Sequence, residues 1–378
     1  MAVSCRIDRV QVSDFRSYRH ADFIPGSMLV ALVGDNGAGK TNLLEAISLL
    51  SPGRGLRRAE LGDMVRKDAS GGFAVACAVT GALGSAQLGT GTVPGETGRK
   101  ARIDRVPVAS ATAFGDHLRL IWLTPDQDGL FRASAGERRR FLDRMVLAVD
   151  HGHGGRVSML ERALRNRNRL LEDSGSDPRW LDAAEWEVAD IAVAVAAARR
   201  ETVQRLSHLI ESGHTETSPF PWAAVRLAGT IEDRLADEPA AAVEDWYRAA
   251  LASARARDRA AGRTLTGPQA SDLLVEHGPK GMPAHLSSTG EQKALLIGLV
   301  LAQAHLVAAM TGMAPVVLLD EVAAHLDPGR RQALFDILME LGGQVWLTGA
   351  DPAFLAALPG EAARFVVTSG MIAPISEA

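Results

Sequence analysis

Residues 34–41 read GDNGAGKT, set between the apolar run LVALV (29–33) and the helix-like NLLEAISLL (42–50). Gly34, Gly39, Lys40 and Thr41 fit the pattern G-x4-G-K-[ST], and Gly37 lies inside the loop. That pattern is specific when a strand precedes it and a helix follows, which is its setting here. Glycines let the backbone curl so that successive N–H groups point at phosphate oxygens, and the start of the helix adds a positive dipole end. Gly34 to Asn42, with Asp35, Asn36 and Ala38 between the motif positions, thus form a phosphate cradle. Lys40 is placed to reach the β- and γ-phosphates, and the Thr41 hydroxyl to ligate Mg2+. The stretch predicts an α/β nucleotide-binding fold. It leaves open whether the nucleotide serves transport, metabolism, mechanical work or nucleic-acid handling.

The partners of this loop lie at the other end of the chain. VVLLDE (316–321) has the all-apolar character of a buried parallel strand. Asp320 emerges at its carboxyl end, where open α/β sheets bind ligands, and is a candidate Mg2+ ligand. Glu321 is placed to polarise an attacking water as a general base. LSSTGEQK (286–293) precedes a long apolar helix. Ser, Thr and Gly there suit a helix N-cap, but the string is also similar to the signature of ABC-type ATPases, with Ser288 and Gly290 at the pivotal positions. In that class the cap meets the γ-phosphate bound by a second subunit. AAHLDPGRR (323–331) resembles the D-loop that follows, with Asp327 as its acid, and Gln127 in LTPDQDGLF is the candidate Q-loop residue sensing Mg2+. In transport ATPases a switch histidine would follow the strand QVWLT; this chain reads LTGAD there, with Thr348 and no histidine.

Composition narrows the class. The 378 residues are 47% hydrophobic, enough for a sizeable core, and the net charge of -4 gives no global argument for nucleic acid. Cys5 and Cys77 form no CxxC or His-containing cluster, so neither a disulfide framework nor a zinc site is expected, and the cytoplasm is the expected compartment. The N-terminus has no apolar core of a signal peptide. The apolar tract at 294–310 contains Gln303 and His305 and reads as a buried helix rather than a span.

Periodicity divides the chain in three: 1–130, with strands around the loop and an antiparallel layer over 70–110; 131–264, mostly helical, with PFPWAAVRLAG (219–229) a candidate strand; and 265–378, where α/β alternation resumes. The prediction is an ABC-type P-loop ATPase head, a mixed sheet with helices and an antiparallel β layer, carrying an inserted helical lobe. Residues 131–170 hold ten Arg and no Lys against Glu137, Asp143, Asp150 and Glu161. Intrahelical ion pairs and a nucleic-acid face both fit that run.

Beyond these motifs the chain resembles the RecF family of bacterial recombination mediator ATPases, essentially end to end. The resemblance lies in VSDFRSYRHADFIPG, GDNGAGKTNLLEAISLLSPGRGLR, GERRRFLDRM, TLTGPQASDL and STGEQKALL. In TLTGPQASDL, Gln269, Ala270 and Ser271 stand where the family usually has His, Arg and Asp. The resemblance implies ATP and Mg2+ as cofactors, with Arg16 and Asn42 also at the nucleotide. It implies ATP-dependent homodimerisation and a clamp on duplex DNA near single-strand gaps, aiding RecO and RecR in placing RecA. Arg54, Arg57, Arg58, Arg138, Arg139 and Arg140 are the candidate DNA contacts. An ABC subunit of a membrane transporter, or a non-hydrolysing DNA scaffold with a structural ATP site, are the rival readings. The absent switch histidine weighs against the first and Glu321 against the second.

Overall fold

The computed structural model describes residues 2–96, 98–173, 175, 177–213, 219–322, 326–350, 354 and 357–375. The chain opens with β1 (Val3–Ser4), β2 (Arg6–Phe15), β3 (Tyr18–Phe23) and β4 (Leu29–Val33), followed by α1 (Lys40–Ser48) and α2 (Leu61–Met64). Strands β5 (Ala74–Gly81), β6 (Gly84–Gly91), β7 (Lys100–Ile103), β8 (Val106–Val108) and β9 (Leu120–Leu123) come next. The helical stretch comprises α3 (Ala135–Val149), α4 (His153–Glu172), α5 (Pro178–Gly213), α6 (Thr230–Arg234), α7 (Ala240–Ser253) and α8 (Arg255–Ala261), with β10 (Ala223–Ala228) within it and β11 (Asp272–His277) and β12 (Met282–Pro283) after it. The remainder is α9 (Thr289–Thr311), β13 (Met313–Ala314), β14 (Val316–Leu319), α10 (Pro328–Glu340), β15 (Val345–Gly349), β16 (Ala363–Thr368) and β17 (Met371–Pro374).

These elements form two compact units. The first comprises Met1–Asp128 and Leu296–Ala378, with Thr215–Phe220. One of its sheets has the order β17-β16-β4-β15-β14-β9, parallel except at the β17 edge. Every residue of β4, β9, β14 and β15 is buried, which is why these strands read as unbroken apolar runs. The other sheet, β3-β2-β5-β6-β7-β8, is antiparallel. Its strands alternate buried with exposed residues, as β5 does, because one face is covered and the other wet. Leu43, Leu44 and Ile47 of α1 join Phe15, Val75 and Trp346 in one continuous core.

The second unit comprises Gly129–His214 and Pro221–Leu295. Here α4, α5 and α7 pack around Leu160, Val188, Ala192, Val195, Tyr247 and Leu251. β10 pairs antiparallel with all of β11, from Ala223↔His277 to Ala228↔Asp272, and β12 adds two residues. This pairing moves the boundary expected at 265. Residues 265–295 stay with the second unit, because β11 completes a sheet whose first strand lies among the helices. The chain's return to α/β alternation at 265 is thus not a return to the first unit. α9 is long and apolar enough to cross a membrane, yet most of it is buried: Leu295, Leu296, Leu299, Val300 and Val307 are at most 2% exposed. The helix expected after QVWLTGAD lies largely outside the described residues.

Within the arginine run, Arg138, Arg140, Arg156, Arg165 and Arg167 make ion pairs. Arg167 is fully buried and donates to Glu185, Asp258, Thr264 and the Leu251 carbonyl. Arg199, outside the run, grips both oxygens of Asp143 and the Pro268 carbonyl. The TLTGPQASDL element is a local anchor between α8 and β11. Gln269 donates to the Thr266 carbonyl at 2.9 Å, Tyr247 donates to the same carbonyl at 2.6 Å, and Ser271 bonds Glu232.

Candidate nucleotide site

The loop between β4 and α1 has the shape a phosphate cradle needs. Gly34 has φ +148°, and a Cβ there would fall 2.2 Å from the Val367 carbonyl oxygen. Gly39 has φ +118°, and its Cβ would fall 2.7 Å from the Ser17 hydroxyl. Side chains at either position would distort the loop. Gly39 also caps α1 without offering a side-chain acceptor to the helix's first N–H groups, which suits an anion at that end. Lys40 is buried at the loop's base, its ammonium donating to the carbonyls of Gly34 at 2.6 Å and Asp35 at 3.0 Å. Tyr18 secures the loop from outside, donating to the Gly39 carbonyl at 3.0 Å.

β14 brings Asp320 to this loop. Its Oδ1 accepts the Thr41 hydroxyl at 2.9 Å and the Thr348 hydroxyl at 2.8 Å. Asp320 is 5% exposed, and burial raises its pKa, against the lowering effect of the Thr348 and Thr41 hydrogen bonds; Glu321 adds to the rise and Arg57 opposes it. A hydroxyl and a carboxylate at the end of a parallel strand are hard oxygen donors, so the residues present fit Mg2+. Glu321 follows with φ +53°, a left-handed conformation that costs of order 1 kcal/mol in a residue with a Cβ. Its backbone N–H donates to the Thr348 hydroxyl at 2.8 Å.

A buried carboxylate braces α1. Glu45 is fully buried and receives both prongs of Arg16 at 2.8 and 2.9 Å, and Arg57 at 3.2 Å. Arg16 also donates to the Asp63 carbonyl at 2.7 Å, so its guanidinium braces the helix. Arg57, read from sequence as a DNA contact, donates to Asn42 at 2.7 Å and is held beside α1. Asn42 in turn donates to Ser17 at 2.9 Å. The sequence assigned no role to Tyr18 or Glu45, and it did not show that Thr348 bonds Asp320 and Glu321; those contacts appear only in the fold.

In the second unit, Ser288 and Gly290 are exposed at the start of α9. The Ser288 N–H donates to Glu291 at 3.0 Å, and the Glu291 N–H approaches the Ser288 hydroxyl at 3.4 Å, the reciprocal arrangement of a capping box. Lys280 pairs with Glu291 at 2.5 Å, and this cation first, then the bonds to Ser288, hold the carboxyl down at about 2. Buried Gln292 donates to the Ser287 carbonyl at 2.6 Å, and Arg132 reaches the same carbonyl at 3.3 Å. The cap is therefore rigidly held with its outer face open.

The remaining candidates are placed individually. Gln127 lies just past β9, but its Oε1 accepts from the Thr124 N–H at 3.0 Å, so its amide is used locally in the turn. Asp327 is the N-cap of α10, accepting from the Arg330 N–H at 2.9 Å; Ala323, Ala324 and His325 of that loop lie outside the described residues. Arg138 makes a two-pronged pair with Asp272 at 2.7 and 2.8 Å, and Arg139 donates to the Ser271 carbonyl at 2.6 Å. These two hold β11 onto α3. Arg140 pairs with Glu137 and Arg54 with Glu60, all four side chains more than half exposed, and Arg58 is exposed.

A phosphate loop, an apolar strand ending in Asp-Glu, a parallel sheet with an antiparallel layer, and an exposed Ser-x-Gly cap define an ATPase of the SMC-head class. The family model described as RecF/RecN/SMC N terminal domain matches residues 6–358. The DNA replication and repair protein RecF of Brucella abortus (strain 2308) is 53% identical over 371 residues, covering 98% of this chain and 96% of that protein. Its counterpart in Mesorhizobium japonicum is 50% identical, with both chains covered completely. The chain belongs to the RecF family. A solved structure of the recombination mediator protein RecF-ATPrS in the RecFOR pathway has the same fold, with TM-score 0.86 at 20% identity, covering 99% of this chain and all of that one. The Smc head domain of Pyrococcus furiosus bound to the C-terminal domain of ScpA gives TM-score 0.54 at 18% identity, covering 99% and 96%.

Proposed function

We propose that the protein is an ATP-driven DNA clamp acting in recombinational repair and replication-fork maintenance. ATP binds at Gly34–Asn42, with Lys40 on the β- and γ-phosphates. Thr41 and Asp320 hold Mg2+, which when bound offsets charge on the phosphates. Ser288 and Gly290 of a second copy meet the γ-phosphate, with Asp327 near the dimer seam, so that ATP joins two copies. Glu321 polarises a water for in-line attack and takes its proton. Hydrolysis removes the group that both copies share, and the dimer reopens. The closed dimer holds duplex DNA near single-strand gaps, mainly through phosphates. It works in the cytoplasm with RecO and RecR, and through them with RecA. The DNA candidates are Arg54, Arg57, Arg58 and Arg140, exposed at the surface, with Arg138 and Arg139, which also bond within the chain.

The Thr41–Asp320 hydrogen bond carries this reading, since it joins the phosphate loop to the strand that presents Glu321. Relatives named for DNA replication and repair support the cellular role. The test is binding to a gapped duplex with ATP, with ADP and at two salt concentrations, together with ATPase rates. ATP-dependent, salt-sensitive binding and DNA-stimulated turnover are expected. ATPase activity indifferent to DNA, with no ATP-dependent binding, would contradict the clamp reading.

A further inference from the structure

We infer that Thr348 is a positioning residue for hydrolysis, a latch that fixes the direction of Glu321. This rests on the proposal that Glu321 is the general base. Thr348 lies near the end of β15, one residue past the Leu319↔Leu347 pair, level with Asp320 across the parallel sheet. It is 1% exposed. Its one proton goes to Asp320 Oδ1 at 2.8 Å, and a lone pair receives the Glu321 N–H at 2.8 Å. A single hydroxyl thus bridges the proposed Mg2+ ligand and the backbone of the proposed base.

Glu321 needs such a tether. At φ +53° it occupies a region that residues with a Cβ leave unless their surroundings hold them. Donation to a carboxylate polarises the Thr348 hydroxyl and strengthens its acceptance of the Glu321 N–H. β-branching limits the rotamers Thr348 can adopt, so the hydroxyl is held in place by its own stereochemistry. Thr348 stands within β15, just before the segment where transport ATPases carry a switch histidine.

The experiment compares Thr348→Ser, Thr348→Cys and Thr348→Val in the full-length protein. Steady-state ATPase gives kcat and KM, a fluorescent ATP analogue with Mg2+ gives the nucleotide Kd, and thermal melts report folding. Serine keeps the bridge and should leave kcat within about threefold of the parent. Valine keeps the shape but has no hydroxyl, and kcat should fall about tenfold or more while the nucleotide Kd moves less than about threefold. Cysteine, a weak donor, should fall between them and decides the matter if valine does not fold. Unchanged kcat in the valine and cysteine variants, equal damage by serine and valine, or parallel losses of kcat and nucleotide affinity would each overturn the latch. Glu321→Gln runs alongside. If it is inactive while Thr348→Val is fully active, only the latch fails; if it is as active as the parent, the assignment of Glu321 fails and the latch goes with it.

Discussion

Thr41 and Asp320 are 279 residues apart in sequence, and their side chains meet at 2.9 Å. The bond exists because β14 lies between β15 and β9, with β15 against β4, all parallel, so that the first turn of α1 and the end of β14 meet at the carboxyl end of the strands. Everything proposed for the nucleotide depends on that closure.

Asp320 is buried, and its raised pKa means that its charge works against the folded state. A carboxyl whose folded pKa is raised destabilises at pH above that value, and the penalty disappears as pH falls below both folded and unfolded values. Asp320→Asn, measured without Mg2+, should therefore melt higher than the parent at neutral pH, and the advantage should shrink on acidification. The same variant should lose Mg2+-dependent ATP binding. A variant that melts lower at neutral pH would show that the carboxylate is held there by attractions stronger than its desolvation.

Gly290→Asp separates the cap's fold from its proposed contact. A Cβ at Gly290 meets nothing within 4 Å, and an acid in a helix's first turn is favoured by the dipole. The melting temperature should stay the same or rise slightly, and nucleotide affinity of the monomer should be unchanged. ATP-induced dimerisation should be lost, because the new carboxylate faces the phosphate of the second copy. A variant that dimerises normally on ATP would remove Gly290 from the interface.

Lys280→Met tests how the cap is held. Glu291 titrates at about 2 because Lys280 favours its charged form. A depressed folded pKa contributes stability above the unfolded value, lost as pH falls through about 2. Carboxyl-resolved NMR should show Glu291 moving up toward the ordinary glutamate range in the variant. No movement would mean that Ser288 alone holds it.

Arg167→Met should be strongly destabilising. Arg255 stays on Glu185, but Asp258, 1% exposed, loses the close partner on its Oδ2. Breaking a buried pair from one side costs about 3–5 kcal/mol, to be read from urea unfolding. A change under about 1 kcal/mol would show that Arg257 takes over the carboxylate.

Local pattern made much of this molecule readable. LVALV read as a strand and VVLL as a buried parallel strand, and every residue of both is buried in the sheet, while GDNGAGKT between strand and helix specified its own geometry. What could not be read from the chain was partnership at long range. The arginines at 138 and 139 have the composition of a nucleic-acid face; that they bond Asp272 and the Ser271 carbonyl follows only from α3 packing against β11. Arg16 and Arg57 flank the phosphate loop in sequence terms, but buried Glu45 draws both to α1. Thr348 was noticed for the histidine it is not, and its two hydrogen bonds appear only when β15 lies beside β14.

The most direct test of the central claim is sedimentation velocity of Glu321→Gln with Mg2+ and ATP, beside ADP and no nucleotide. The account predicts a stable dimer with ATP and a monomer in the other two conditions, since the variant binds the shared phosphate but does not cleave it. A monomer in all three would contradict the account, because ATP would then not join two copies of this chain.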